Sequence, residues 1–266
     1  MLNLFKIEWL KIKTYRTFWI LFIGFLVSYP LAFYFFASKF IETTSASQQG
    51  KMVGAFVGTP FEFPRIWQSA SWLGGLFFIL IGMLYILLIT NEVQYRTHRQ
   101  NIIDGWSRMD FLMAKFSLLL FFVITSTVLV FITALLTGLI FSSSTTFMFD
   151  QVYFVGYFAL MALLYLMLAF LVSILIKRTG LSIIIYFGIV CILDNVLWGV
   201  LTVKGSQLGY FMPLEAVDSL VPNPFKPRAF EQRKVEDYAL IIAALAYISI
   251  YGYIIISYFK KADLKT

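Results

Sequence analysis

Long apolar stretches recur six times along the chain, at residues 17–38, 66–90, 111–141, 151–176, 180–203 and 238–259, and charged residues gather in the intervals between them. A helix rises about 1.5 Å per residue, so roughly 20 apolar residues cross a hydrocarbon core of about 30 Å. Each stretch meets that length. The pattern predicts an all-α, polytopic integral membrane protein, with six transmembrane helices in a single transmembrane domain spanning 1–266. The uncharged stretch 116–149 exceeds what the core requires, so part of it is expected to tilt or project outside. Pro30 falls inside the first run and predicts a kink, because proline removes a backbone donor. Composition agrees with this reading. The 266 residues are 60% hydrophobic and 13% charged, with mean hydropathy +0.83, whereas a soluble domain is about half apolar and about a quarter charged.

Six spans place both termini on one side of the membrane. Thirteen of the 21 Lys and Arg residues border that side, and the other eight are spread over longer loops that also carry acids. Lys and Arg accumulate in cytoplasmic loops, so the N- and C-termini are expected to be cytoplasmic. The net charge of +7 is then an orientation signal. Basic residues flank the spans and form no continuous face for nucleic acid, so no nucleic-acid partner is expected.

The intervals carry their own signals. In residues 1–16, Leu2, Phe5, Trp9 and Ile12 fall near one face of a helix, which reads either as an amphipathic helix in the cytoplasmic interface or as the positive flank of the first span. Residues 43–64 are rich in Ser, Thr, Gln and Gly and end in Pro60 and Pro64, the pattern of a solvated outer connector. The extracytoplasmic loop 202–237 contains Pro213, Pro222, Pro224 and Pro227, with an apolar stretch at 214–220 between them. That stretch is either a short surface helix or a segment dipping toward the bilayer, and Glu215 and Asp218 argue for the surface. Residues 177–180 predict a tight cytoplasmic hairpin with Gly180 as the helix stop. Asp194, next to Asn195, is the acid placed inside a span. Such a charge costs about 2.5–3.5 kcal/mol on insertion scales, so it either lines a translocation path or is paired structurally.

Several chemistries are missing. The chain has one histidine, His98, and lacks HExxH, GxSxG and a pair of acids within a span, so no protease, metal or redox centre is supported. A single cysteine, Cys191, gives neither an intrachain disulfide nor a cysteine metal site. With no GxxxxGK[ST] loop, nucleotide has no phosphate cradle here. The chain is expected to be non-catalytic by itself, with no cofactor or metal of its own.

Between the second and third runs lies a charged island, NEVQYRTHRQNIIDGWSRMDFLMAK, at residues 91–115. At helical spacing Glu92, Arg96, Arg99, Gln100 and Ile103 are neighbours, and an acid four residues before a base adds about 0.2–0.5 kcal/mol. The second span is therefore expected to continue as a charged helix. It should break at Asp104-Gly105, since glycine tolerates the left-handed turn that ends helices. Ser107-Arg108-Met109-Asp110 then forms a capping box that starts the third span, with Trp106 at the corner. The result is a small helical knob on two rigid levers. Composition alone also fits a charged loop that keeps two spans in register.

The island resembles the corresponding loop of type-2 ATP-binding-cassette (ABC-2) exporter permeases. Their pattern, E-x-x-x-G-T-x-x-x-L-x-x-x-P-x-S-R-x-x-x-x-x-G-K, is matched in order by Glu92, Thr97, Ser107, Arg108 and Lys115. Arg96 stands where the pattern has glycine, Gly105 or Trp106 where it often has proline, and Ala114 where it has glycine. The six-span layout, the amphipathic start and the long last outer loop extend the resemblance over nearly the whole chain. The resemblance implies the permease subunit of an ATP-driven exporter in a bacterial cytoplasmic (inner) membrane. Two permeases would pair, as a homodimer or heterodimer surrounded by membrane lipid, and the loop 91–110 of each would rest in a cleft of a separate ABC ATPase that carries ATP and Mg. The coupling residues implied are Glu92, Arg96, Thr97, Arg99, Gln100, Asp104, Gly105, Trp106, Ser107 and Arg108. Glu92 and Arg96 would stiffen the lever and Arg108 would hold the turn, while the departures leave the docking register open. A path at the permease interface would have Asn91, Asp194 and Asn195 as its polar candidates. Being aromatic and sparsely charged, it would suit an amphipathic or lipid-like substrate. Two rivals use the same island: a non-transporting membrane scaffold or sensor, and an ATP-independent carrier.

Overall fold

The computed structural model describes residues 2–46, 48–94, 107–226 and 235–261. No strand occurs among them. Six of their helices are long and apolar enough to cross a membrane: Arg16–Ala46, Ile66–Glu92, Met109–Phe141, Tyr153–Ile176, Thr179–Val203 and Asp237–Lys260. The all-helical, six-span expectation therefore holds. In chain order the helices are α1 (Leu2–Ile12), α2 (Arg16–Ala46), α3 (Gln48–Val57), α4 (Ile66–Gln94), α5 (Arg108–Phe141) and α6 (Tyr153–Ile176). They continue as α7 (Thr179–Gly188), α8 (Asp194–Val203), α9 (Glu215–Asp218) and α10 (Asp237–Lys261). A π-helical turn, Ile189–Leu193, joins α7 to α8 within one span.

Burial sorts the spans. The apolar windows of α4 and α6 are 67% buried and those of the α7–α8 span and α10 only 17%, which puts α4 and α6 at the centre. A helix that is apolar all round belongs inside a bundle, and α6 turns Phe158, Leu164, Leu166 and Phe170 inward together. Around this pair pack α2, α5, α7 and α10. The α7–α8 span keeps Ile184, Phe187, Val196 and Val200 on the outside, a surface that hydrocarbon solvates and water does not. Both chain ends meet the first turns of α5: Glu8 of α1 bonds to Lys115, and the Phe259 ring of α10 lies 5.8 Å from that of Phe111. The first helix and the end of the last one thus share one end of the bundle, the near end.

Four local expectations are corrected. The connector expected from residue 43 is largely helical, as α2 runs on to Ala46 and α3 follows at Gln48–Val57. Thr44 and Ser45 turn their hydroxyls back onto carbonyls of Phe40 and Ile41, so their polarity is absorbed within the helix. The helix stop after α6 is Lys177, which takes the left-handed conformation at φ 56, while Gly180 lies inside α7. The 214–220 stretch is packed into the bundle, with Leu214, Ala216 and Val217 fully buried, although its acids argued for the surface. Lastly, the fifth span is interrupted by the π turn, for which no sequence signal was read. Within α2, helix continues through Pro30.

Close approach of α7 to α4 depends on one residue. A Cβ at Gly82 would collide with the hydroxyl of the fully buried Tyr186. Gly82→Ala is expected to push the helices apart and cost about 1–2 kcal/mol, measurable as a lower melting temperature of the purified protein. Gly24→Ala, where nothing lies within 4 Å, should leave it unchanged.

Candidate functional site

The near end is organised by how α5 begins. Ser107 takes an extended conformation; its hydroxyl accepts from the Asp110 amide (3.1 Å) and its amide donates to Asp110 Oδ2 (3.0 Å). The expected capping box is therefore present, satisfying two amides that a helix start leaves open. It fixes where the island re-enters the bundle. Two turns further in, Lys115 is 1% exposed, and its ammonium donates to Glu8 Oε2 at 2.5 Å and to Glu92 Oε1 at 2.6 Å. Lys11 completes the cluster, 3.0 Å from Glu8 Oε1 and 3.7 Å from Glu92 Oε1. Three helices, α1, α4 and α5, are joined through four charges. The Tyr85 hydroxyl adds a bond to the Lys115 carbonyl (3.0 Å), tying α4 to α5 again.

Burial penalises such charges severely, and they persist only where partners and geometry compensate. Burial acts to raise Glu8, yet the ammonium groups of Lys115 and then Lys11 outweigh it and hold the carboxyl below 4.5. The Glu8 carboxylate is consequently ionised at neutral pH. Beside it the Tyr15 hydroxyl accepts from Asn91 Nδ2 (3.0 Å), and the Thr90 hydroxyl donates to Thr179 Oγ1 (2.8 Å). A groove of about 260 Å³ is lined by Glu8, Tyr15, Asn91, Glu92 and Lys115 among others. The root of the island is thus bound to α1 on one side and to the start of α7 on the other.

Of the residues expected to couple to an ATPase, Glu92 and Ser107 occupy this root. Arg96, Thr97, Arg99, Gln100, Asp104, Gly105 and Trp106 lie outside the described residues, as does the Arg108 side chain. The expected Glu92–Arg96 pairing falls there too; the partners described for Glu92 are Lys115 and Lys11. Glu8, Lys11 and Tyr15 were not singled out from sequence. A signal existed for Glu8, which sits three residues after Phe5 and four before Ile12, on the apolar face of α1. An acid at that position calls for a buried cation.

The opposite, far end of the bundle holds a second polar cluster. Asp194, 4% exposed, accepts from the backbone amides of Leu214 (3.3 Å) and Glu215 (2.7 Å) and so caps α9. Asn195 donates from Nδ2 to the Val190 carbonyl (3.1 Å) in the π turn. The Tyr165 hydroxyl of α6 reaches both carboxylate oxygens of Asp218 at 2.9 Å, and Ser219 donates to Glu215 at 2.6 Å. These bonds are why the acids do not hold 214–220 at the surface. Burial pushes Glu215 up to about 7, against the Ser219 hydrogen bond and with help from Asp194. Burial, then Glu215, also pushes Asp218 well above its ordinary value. A cavity of about 640 Å³ opens here, lined by Asn195, Glu215 and Asp218 with several aromatic residues.

The three polar path candidates are not brought together. Asn91 lies next to Thr179, and Asp194 is fifteen residues further along that span, about 22 Å at 1.5 Å per residue. Asp194 is paired with backbone, whereas Asn195 faces the cavity.

Taken with the six spans, these sites define a multi-pass helical membrane protein whose loop between its second and third spans is rooted in buried charge. Residues 4–193 match the ABC-2 family transporter protein family, and the chain belongs to that family. The resemblance carried by the island is therefore sound at the level of family, and the chain is an ABC-2 type permease. Membrane proteins of this family generally work with ATP-binding subunits. No curated protein matches the chain.

Proposed function

We propose that the chain is the permease subunit of an ATP-driven exporter, moved by a separate ATPase that carries ATP and Mg and docks on the loop 91–110. The observation that supports this reading most is Lys115, buried between Glu8 of α1 and Glu92 of α4. A loop that merely spaces two spans has no use for a charged clamp at its root. A loop that transmits force needs one, because a push on it must move α1, α4 and α5 together instead of bending a single helix. The Lys and Arg asymmetry supports a cytoplasmic near end, with both termini on that side, in a membrane we take to be the bacterial cytoplasmic one. Such an assembly pairs two permeases, as a homodimer or heterodimer, and the exposed apolar faces of α7–α8 and α10 supply area for that contact and for lipid. An aromatic, sparsely charged bundle fits an amphipathic or lipid-like substrate.

Arg108 tests this reading because its backbone begins α5 outside the clamp. Arg108→Glu is expected to lower ATP-driven transport about tenfold, the loss of one charge-assisted docking contact, with membrane insertion and melting temperature unchanged. The assay uses the ATPase captured from native membranes on a tagged chain. Unaltered transport and unaltered ATPase capture would return the island to a passive spacer.

A further inference from the structure

The far-end cavity has a chemical character that the pump reading does not use. Its walls come from four parts of the chain: Trp72 of α4, Tyr165 of α6, Trp198 of α8, and Tyr210, Glu215 and Asp218 of the loop that follows. At about 640 Å³ it is in the size range of sites for drug-sized molecules. Leu76 and Met161 add apolar wall to the same lining. Two half-buried carboxylates face this apolar volume, and among the described residues neither Glu215 nor Asp218 makes an ion pair within 4 Å. The nearby cation in the lining is Lys226, which acts on Glu215 from a distance.

We infer that this cavity binds a compact amphipathic organic cation, a single positive charge carried on an aromatic or branched apolar body. Each alternative fails on the lining. An anion would meet two acidic groups, and a neutral lipid would gain nothing from either of them, with Lys226 the cation in the lining. A bare metal ion would want three converging ligands, and no such group exists among the described residues. A lipophilic cation, in contrast, gains from the carboxylates, from the faces of the aromatic rings, and from the apolar wall. The carboxylates and Tyr210 lie beyond residue 193, where the family match ends.

Binding of this kind has a pH signature. Glu215 is faced by Asp218 and Ser219 of its own segment, Asp194 of α8 and Lys226, with Tyr165 of α6 holding Asp218. Its value of about 7 means that the carboxylate forms as pH rises through neutrality. Cation affinity is therefore greater on the alkaline side. Neither nucleotide nor ATPase is needed for this binding, so failure of the pump reading leaves it standing, and the reverse also holds.

The test is equilibrium dialysis of the purified full chain in lipid nanodiscs with labelled tetraphenylphosphonium, set against the similarly shaped anion tetraphenylborate. Saturable binding of the cation and none of the anion is expected, weakening about tenfold between about pH 8 and about pH 5.5 as the carboxylate is lost. Glu215→Gln combined with Asp218→Asn should weaken it at least about tenfold at about pH 8, the effect of removing both counter-charges. Lys226→Gln, which removes the competing cation, should tighten binding about threefold, a gain that misfolding does not produce. Equal uptake of both ions, no saturable uptake of either, or cation binding indifferent to all three substitutions would overturn the inference.

Discussion

Lys115→Ala is expected to destabilise the protein by about 3–5 kcal/mol, the scale set by removing one partner from a buried ion pair. Without the ammonium, Glu8 and Glu92 lose the buried cation that bridges them, and the half-exposed Lys11 is the bridging cation left among the described residues. Chemical unfolding of the purified chain measures the loss. Glu8→Gln together with Lys115→Met should recover much of it, because a neutral, well-packed replacement avoids stranding a charge. The pH dependence has a definite sign. Glu8 is held below 4.5 in the folded chain, so its contribution is complete above 4.5 and is lost as pH falls through the lower folded value. The gap between wild type and Lys115→Ala should accordingly be full at neutral pH and narrow only in acid. A constant gap at every pH would mean that Lys115 acts through packing alone.

At the far end, Asp194→Ala is expected to cost about 2–4 kcal/mol, since the buried Leu214 amide loses its acceptor at about 1–3 kcal/mol and the part-buried Glu215 amide, which water can reach, loses less. The effect should be local before it is global. Amide hydrogen exchange at Leu214 and Glu215 should accelerate, because these are the two donors that Asp194 accepts from. Asp194→Asn keeps one acceptor oxygen and should lose less. Altered transport by Asp194→Asn at unchanged melting and unchanged exchange would instead make Asp194 a path residue.

These two sites differ in how far they can be read from sequence. The spans follow from length and hydropathy, a property of twenty residues at a time, and so their number and near boundaries are legible. The Ser107 cap is legible for a similar reason, because donor and acceptor sit three residues apart in one local motif. Lys115 is different: its partners lie 107 and 23 residues away in sequence. Nothing local tells a clamped lysine from one that marks a span border, and only Glu8 on an apolar helix face hints at the contact. The loop at 214–220 misleads for the opposite reason. Its acids look solvent-seeking until Tyr165 and Ser219, which lie 53 and 4 residues away, are seen to bind them. The π turn has no residue signature, since Ile189–Leu193 reads IVCIL and continues the apolar pattern of the span on either side.

The claim on which the functional reading turns is that a separate nucleotide-binding subunit grips the island between the second and third spans. Site-directed crosslinking in native membranes tests it without knowledge of the substrate. With the lone cysteine removed as Cys191→Ser, a chain carrying Gln100→Cys is expected to crosslink to a subunit that binds ATP, with a yield that changes when a non-hydrolysable nucleotide is added. A chain carrying Phe56→Cys, on the exposed face of α3 in the first outer connector, should not. Failure of the correctly inserted Gln100→Cys chain to capture any nucleotide-binding subunit would contradict the account.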